Sequence, residues 1–134
     1  MTILIVDDEQ IARMLLNRVL LEISEFAIVE AEGGLDAWQK LEAGLRPDLC
    51  ILDRVMPQMD GIALLQKMRR HACFKHTKVI MCTVVNERFR KNEALSLDIA
   101  GYVVKPFNVK MLRHEVDRVL RNNTGGVSRR SRPG

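Results

Sequence analysis

The sequence predicts a doubly wound α/β domain: a parallel sheet with helices on both faces. Two observations carry that prediction. Short β-rich runs recur five times along the chain, and segments with helical spacing separate them. A strand-helix order repeated five times, (βα)5, implies parallel strands joined by right-handed crossovers.

The elements follow in order. Ile3–Val6 is continuously apolar, as expected of a parallel strand covered on both faces. Ile11, Leu15 and Val19 then recur every four residues and predict a first helix. Phe26–Glu30 is the second run and the weakest of the five. Leu35, Trp38 and Leu41 recur every three residues, so Trp38 reads as core. Leu49–Leu52 is the third strand. Ile62, Leu65 and Met68 mark the next helix, and Val79–Cys82 the fourth strand. The stretch from Asn86 to Leu97 is less regular, with Phe89 as the main apolar residue of its first half. It is expected to be helical. Gly101–Val104 is the fifth strand. Val109, Leu112, Val116 and Val119 form a three-four-three stripe on a last helix. Turn residues fall in the gaps: Gly33-Gly34, Gly44 and Pro47, then Pro57 and Gly61.

Bulk properties set limits. A chain of 134 residues fits one compact domain. Its 47% hydrophobic and 28% charged residues suit a soluble globular protein. Apolar runs reach at most about five residues, against roughly 20 for a bilayer span. The N-terminus reaches Asp7-Asp8-Glu9 without a basic n-region, so no signal peptide is read and a cytoplasmic protein is expected. Cys50, Cys73 and Cys82 are too few and too scattered for a disulfide framework. The net charge of +4 comes from Arg121, Arg129, Arg130 and Arg132; residues 1–120 balance 17 basic against 17 acidic side chains. The domain is expected over 1–121, and 122–134 reads as a flexible basic tail or truncated linker. That tail lacks aromatic interleaving or a DNA-binding motif, so nucleic acid is not an expected partner of this domain.

Open parallel sheets bind ligands outside the carboxyl ends of their strands. The first strand ends in Asp7-Asp8, the third in Asp53, the fourth in Thr83 and the fifth in Lys105-Pro106; the second ends in the blander Glu30-Ala31-Glu32. With strands one and three as neighbours, Asp7, Asp8 and Asp53 would share one pocket flanked by Thr83 and Lys105. Packed carboxylates repel unless a cation is present. Oxygen ligands at an open site suit Mg²⁺. A lysine and a hydroxyl suit a phosphoryl group. These residues point to metal-assisted phosphoryl chemistry with an Asp as possible nucleophile.

Four stretches give that reading a family. They are Ile5-Val6-Asp7-Asp8-Glu9, Pro47 through Asp53, Met56-Pro57-Gln58-Met59-Asp60-Gly61, and Tyr102-Val103-Val104-Lys105-Pro106-Phe107. Together, in this order, they resemble the response-regulator receiver domains of two-component signalling, chemotaxis regulators among them. The resemblance covers about residues 1–121. It implies a flavodoxin-like fold with strand order 2-1-3-4-5. It implies Asp53 as phosphoacceptor, and Asp8, Asp53 and the backbone carbonyl of Val55 as Mg²⁺ ligands, with Asp7 acting through water. It implies phosphoryl contacts from Lys105, Thr83 and the backbone of Val84. Thr83 and Tyr102 would be the switch, reshaping the face made by segment 86–97, the fifth strand and the last helix. The implied partners are a sensor histidine kinase or phosphotransfer protein, and an effector protein or covalently linked output domain. A phosphorylation-dependent homodimer is a further expected partner, and a membrane is not. Such a switch phosphorylates and dephosphorylates itself but is not a turnover enzyme.

Three positions depart from the family pattern. Val84 stands where a small residue is usual, and altered dephosphorylation is expected. Asp98-Ile99 replaces a common Gly-Ala pair; Asp tolerates the left-handed backbone conformation better than most residues. Other readings compete. A pseudo-receiver would bind partners without taking phosphate. A Mg²⁺-dependent phosphohydrolase with an Asp nucleophile would want an Asp-x-Asp pattern after its first strand, which Asp7-Asp8 is not. His71, Cys73 and His76 have spacing that suits zinc but lack a fourth ligand, so a solvated loop is expected there. Met56, Met59 and Met68 read as packing residues.

Overall fold

The structure, a computed structural model, describes residues 1–84 and 97–125. The helix expected between Asn86 and Leu97, with Phe89 in it, therefore falls outside the described residues except for Leu97. Described elements run β1 (Thr2–Val6), α1 (Gln10–Ile23), β2 (Ala27–Ala31), α2 (Gly34–Glu42), β3 (Leu49–Asp53), α3 (Gly61–Arg69), β4 (Lys78–Val84), β5 (Gly101–Lys105) and α4 (Val109–Gly125). The five strands form one sheet in the order β2-β1-β3-β4-β5, all parallel. The doubly wound order 2-1-3-4-5 that the family resemblance implied is the one observed.

Strand periodicity sorts the core into two layers. Leu4, Val6, Cys50, Leu52, Val79 and Met81 face α2 and α3, where Ala37, Leu41, Leu64, Leu65 and Met68 meet them. Ile3, Ile5, Leu49, Ile51, Ile80 and Cys82 face the other way, against Leu16, Val19 and Leu20 of α1 and Leu112, Val116 and Val119 of α4. The central strand β3 is buried along its whole length, which explains its unbroken apolar run. Buried Cys50 and Cys82 are part of these layers, and burial pushes both thiols up, Cys50 to about 12.

The helical stripes need one correction. Ile11, Leu35 and Val109, each expected to begin a buried face, are 81%, 45% and 45% exposed. Each sits in the first turn of its helix, where the chain has just left the sheet. The buried face of α1 is Leu16, Val19 and Leu20 rather than a strict every-four row. A spacing of four overshoots the 3.6-residue turn, so such a row drifts off the core. Trp38 is partly buried and packs edge-on against Phe74 and His71. Helix α4 continues to Gly125, four residues past the expected domain boundary. Among the described residues, no helix is long and apolar enough to cross a membrane.

Arg69 ties the last turn of α3 to its surroundings. Its guanidinium donates to the carbonyls of Leu97 (2.8 Å), Phe74 (3.1 Å), Lys75 (3.3 Å), Thr77 (2.8 Å) and Asp98 (3.1 Å). Asp98 has φ of 54°, the left-handed conformation expected of it. Replacing Arg69 with Met would keep the aliphatic stem and strand these carbonyls. We expect a loss of about 2–4 kcal/mol in urea denaturation; an unchanged midpoint would show that water replaces the guanidinium at no cost.

Candidate functional site

Because all strands run in parallel, their carboxyl ends share one edge. Register then sets the neighbours. Val6 pairs with Leu52, so Asp7 and Asp53 follow side by side. Asp53 pairs with Cys82, Thr83 with Val104, and Val84 with Lys105. Asp8, Glu9, Asp53, Arg54, Val55, Thr83, Val84 and Lys105 line a cleft of about 300 Å³ at that edge.

Lys105 holds the cleft together. Its Nζ lies 2.7 Å from Asp7 Oδ2, 3.1 Å from Asp53 Oδ2 and 3.1 Å from Glu9 Oε1. Burial works to lower the ammonium pKa, but Asp7, Asp53 and Glu9 together outweigh it, and the net shift is upward. Asp53 moves the other way from an ordinary carboxylate. Burial first, then the charge of Asp7, push it from 3.8 up to about 6, against the pull of Lys105 and of the Val55 backbone N–H. Asp7 Oδ1 accepts from the Glu9 N–H at 2.9 Å. Asp7 Oδ2, buried, is held by its close ion pair with Lys105.

Local backbone holds Asp53 in place. The Arg54 N–H donates to Cys82 O at 2.8 Å, and the Gly61 N–H to Arg54 O at 3.1 Å. A side chain at Gly61 would put Cβ 2.3 Å from Asp53 O, so helix α3 can begin against the strand end only with glycine there. Asp60 caps that helix, accepting from the Ala63 N–H at 2.9 Å. The Lys105–Pro106 peptide is cis.

The structure thus brings Asp7, Asp8, Asp53, Val55, Thr83, Val84 and Lys105 to one cleft. Thr83 is buried, and its hydroxyl makes a long 3.4 Å contact to Val84 O. Tyr102 is elsewhere: it pairs with Met81 in the sheet, its side chain is 61% exposed, and its N–H donates to Glu115 Oε2 at 3.0 Å. Glu9, which sequence reasoning passed over, belongs to the Lys105 network. Its place directly after Asp7-Asp8 was the available signal.

Among the described residues, the acidic group able to hold a metal is Asp7, Asp8 and Asp53, with one carboxylate oxygen from each lying within 4.8 Å of the others. A donor set made only of carboxylate oxygens, two of the three residues buried, fits a hard divalent cation such as Mg²⁺. His71, Cys73 and His76 are not brought together as ligands; the His71 ring packs on Phe74 and its Nδ1 accepts from the Cys73 N–H.

The family model of the response regulator receiver domain matches residues 3–117. The chain belongs to the response-regulator receiver family. It is 33% identical over 123 residues to the chemotaxis protein CheY1 of Helicobacter pylori, covering 92% of this chain and 99% of that protein. It is 34% identical over 125 residues to the chemotaxis protein CheY of Pseudomonas aeruginosa, covering 93% and 100%. Among solved structures, the chemotaxis response regulator CheY4 of Vibrio cholerae superposes with a TM-score of 0.78 at 29% identity, covering 88% of this chain and 97% of that one. The REC domain of AraT, a response regulator from Geobacillus stearothermophilus, gives 0.80 at 28% identity, covering 95% and 98%. Receiver domains are phosphorylation-dependent signalling switches rather than typical enzymes, and they generally bind Mg²⁺ in an acidic pocket.

The raised Asp53 pKa makes a stability prediction. Above pH 6 the carboxylate is ionised in both folded and unfolded chains, and folding bears the full cost of its burial. Between pH 6 and 4 the folded chain takes up the proton first, so the cost fades as pH falls; below about 4 it is gone. Asp53→Asn removes the charge. In metal-free buffer it should be more stable than wild type by about 1–3 kcal/mol above pH 6, and equal to it near pH 4. Urea denaturation across that range checks this, and a gap that ignores pH would refute the cause given. Separately, Gly61→Ala should destabilise the fold by about 2 kcal/mol or more, read as a thermal shift.

Proposed function

We propose that this receiver is a switch in which the Asp53 carboxylate accepts a phosphoryl group from a phosphohistidine donor, either a sensor histidine kinase or a phosphotransfer protein, with Mg²⁺ bound beside it. One observation carries the reading: Asp53 ends β3 inside a carboxylate cluster, with the Lys105 ammonium 3.1 Å from its oxygen. An Asp53 oxygen attacks phosphorus, the P–N bond to the donor imidazole breaks, and the electron pair stays on that nitrogen, the ring leaving as neutral imidazole because its other nitrogen already carries a proton. Asp8, Asp53 and the Val55 carbonyl would hold the ion, with Asp7 acting through water. When bound, Mg²⁺ neutralises the carboxylates and the charge on the transferring oxygens.

The protein's own groups do the positioning. Lys105 already touches Asp53 and would pair with a phosphoryl oxygen. The Thr83 hydroxyl, which among the described residues makes a single long contact to Val84 O, would turn to another, beside the Val84 backbone. Tyr102, now outward, lines a groove of about 810 Å³ with Val104, Phe107, Met111 and His114 between β5 and α4. Inward rotation of Tyr102 behind Thr83 would reshape that face for an effector or output domain. The change is a shift between two states, biased by contacts that only the phosphorylated state makes.

Intact-protein mass spectrometry after incubation with an acyl phosphate tests this. Wild type with Mg²⁺ should gain one phosphoryl mass, and neither metal-free wild type nor Asp53→Ala should. A folded protein that binds Mg²⁺ yet gains nothing would be a pseudo-receiver, an interaction module without the chemistry.

A further inference from the structure

We infer that Arg13 is a positioning residue for the acidic cluster, clamped by Glu30 and acting through the Asp7–Asp8 peptide. This rests on the reading of the cleft as a Mg²⁺ site. The guanidinium sits on α1 with its side chain only 11% exposed. Its Nη1 donates to the backbone carbonyl of Asp7 at 2.7 Å, and its Nε to Glu30 Oε1 at 3.1 Å. Glu30 is held from its other oxygen by Asn17 Nδ2 at 3.1 Å. Arg13 and Asn17 are one turn apart and share a helix face. Thus α1 grips the end of β2, and the grip closes over the chain leaving β1.

The bond matters because of where it falls. The Asp7 carbonyl belongs to the planar peptide that joins Asp7 to Asp8. Fixing its oxygen fixes the plane, and with it the direction in which Asp8 leaves the backbone. Asp8 is exposed, so the preceding peptide sets its aim. The same segment is held from the other side by the Asp7 N–H, which donates to Ala31 O at 3.2 Å. Asp7 and Asp8 sit within 4.8 Å of Asp53 at their carboxylate oxygens, and such like charges push a loop outward. A brace on the carbonyl resists that push without competing for the carboxylates. Glu30, the strand end that looked uninformative in the sequence, acquires a purpose as the anchor of the brace.

The test measures Mg²⁺ affinity directly. Isothermal titration of metal-free protein with magnesium chloride would compare wild type, Arg13→Gln, Arg13→Lys and Glu30→Ala. Alongside, the rate of acyl-phosphate phosphorylation would be followed against Mg²⁺ concentration. Loss of a group that orients metal ligands typically weakens binding about 10- to 100-fold. Arg13→Gln should raise the Mg²⁺ dissociation constant roughly 10-fold, with the phosphorylation rate recovering at saturating Mg²⁺. Arg13→Lys should restore part of the affinity, and Glu30→Ala should weaken it in the same direction. A role in folding alone would lower the fraction of active protein and leave half-saturation unmoved, which overturns the inference. So would a folded Arg13→Gln that binds Mg²⁺ within twofold of wild type. If Arg13→Gln does not fold, Glu30→Ala decides, and an unchanged affinity there counts against the clamp. Wild type that binds no Mg²⁺ would overturn the metal-site reading itself, an outcome distinct from equal binding by all variants.

Discussion

The contact on which the rest depends is the Lys105 ammonium at the carboxyl edge of the sheet, shared among Asp7, Asp53 and Glu9. One cation faces three carboxylates at close range, with Asp8 adjacent. Burial first, and then the charge of Asp7, raise the Asp53 pKa to about 6. Buried charge of one sign is costly unless compensated. The site is therefore built with an excess of negative charge, a ready place for a divalent cation.

The described residues around that excess are tied down by hydrogen bonds and packing. Asp7 and Asp53 leave the two central strands β1 and β3, which are buried on both faces. Asp53 is backed by the close approach of Gly61 and by ladder bonds to β4. Arg13 and Glu30 brace the β1 side, and Arg69 holds the far end of α3 to the turn at Leu97 and Asp98. These contacts hold the crowded carboxylates together, because moving them apart would break several bonds at once.

The rim of the site is softer in composition. Val55 and Val84 are half exposed at the cleft mouth. Glu9, Val84 and Lys105 also border an apolar hollow of about 580 Å³ reaching Ile11, Leu15 and Phe107. The acidic cleft and this hollow share a wall whose charged members are the Lys105–Glu9 pair. Chemistry at Asp53 and the surface of α1 are thus separated by a single ion pair, which is weakly held because Glu9 is exposed.

How much of this was legible before folding depends on range. The alternation of strands and helices and the polar residues that end β1, β3, β4 and β5 were readable, while the strand order came from the family resemblance. Apolar runs and helical spacing are local patterns, and a parallel sheet sends every strand end to one side. That Asp98 tolerates its left-handed conformation was readable for the same reason, since that tolerance resides in a single residue. Other features were not local. Ile11 looked like core, but its position in the first turn of α1 exposes it. Gln58, with φ of 66°, carries no residue-type signal for that conformation. Glu9 joins Lys105 across 96 positions of sequence, and Arg13 meets Glu30 only because β2 lies beside β1. By itself, then, the sequence determined the alternation of elements and the chemical types waiting at the strand ends. Only the tertiary structure decided which of those groups touch, which pKa values move and which way Tyr102 points, because these follow from register and burial between segments far apart in the chain.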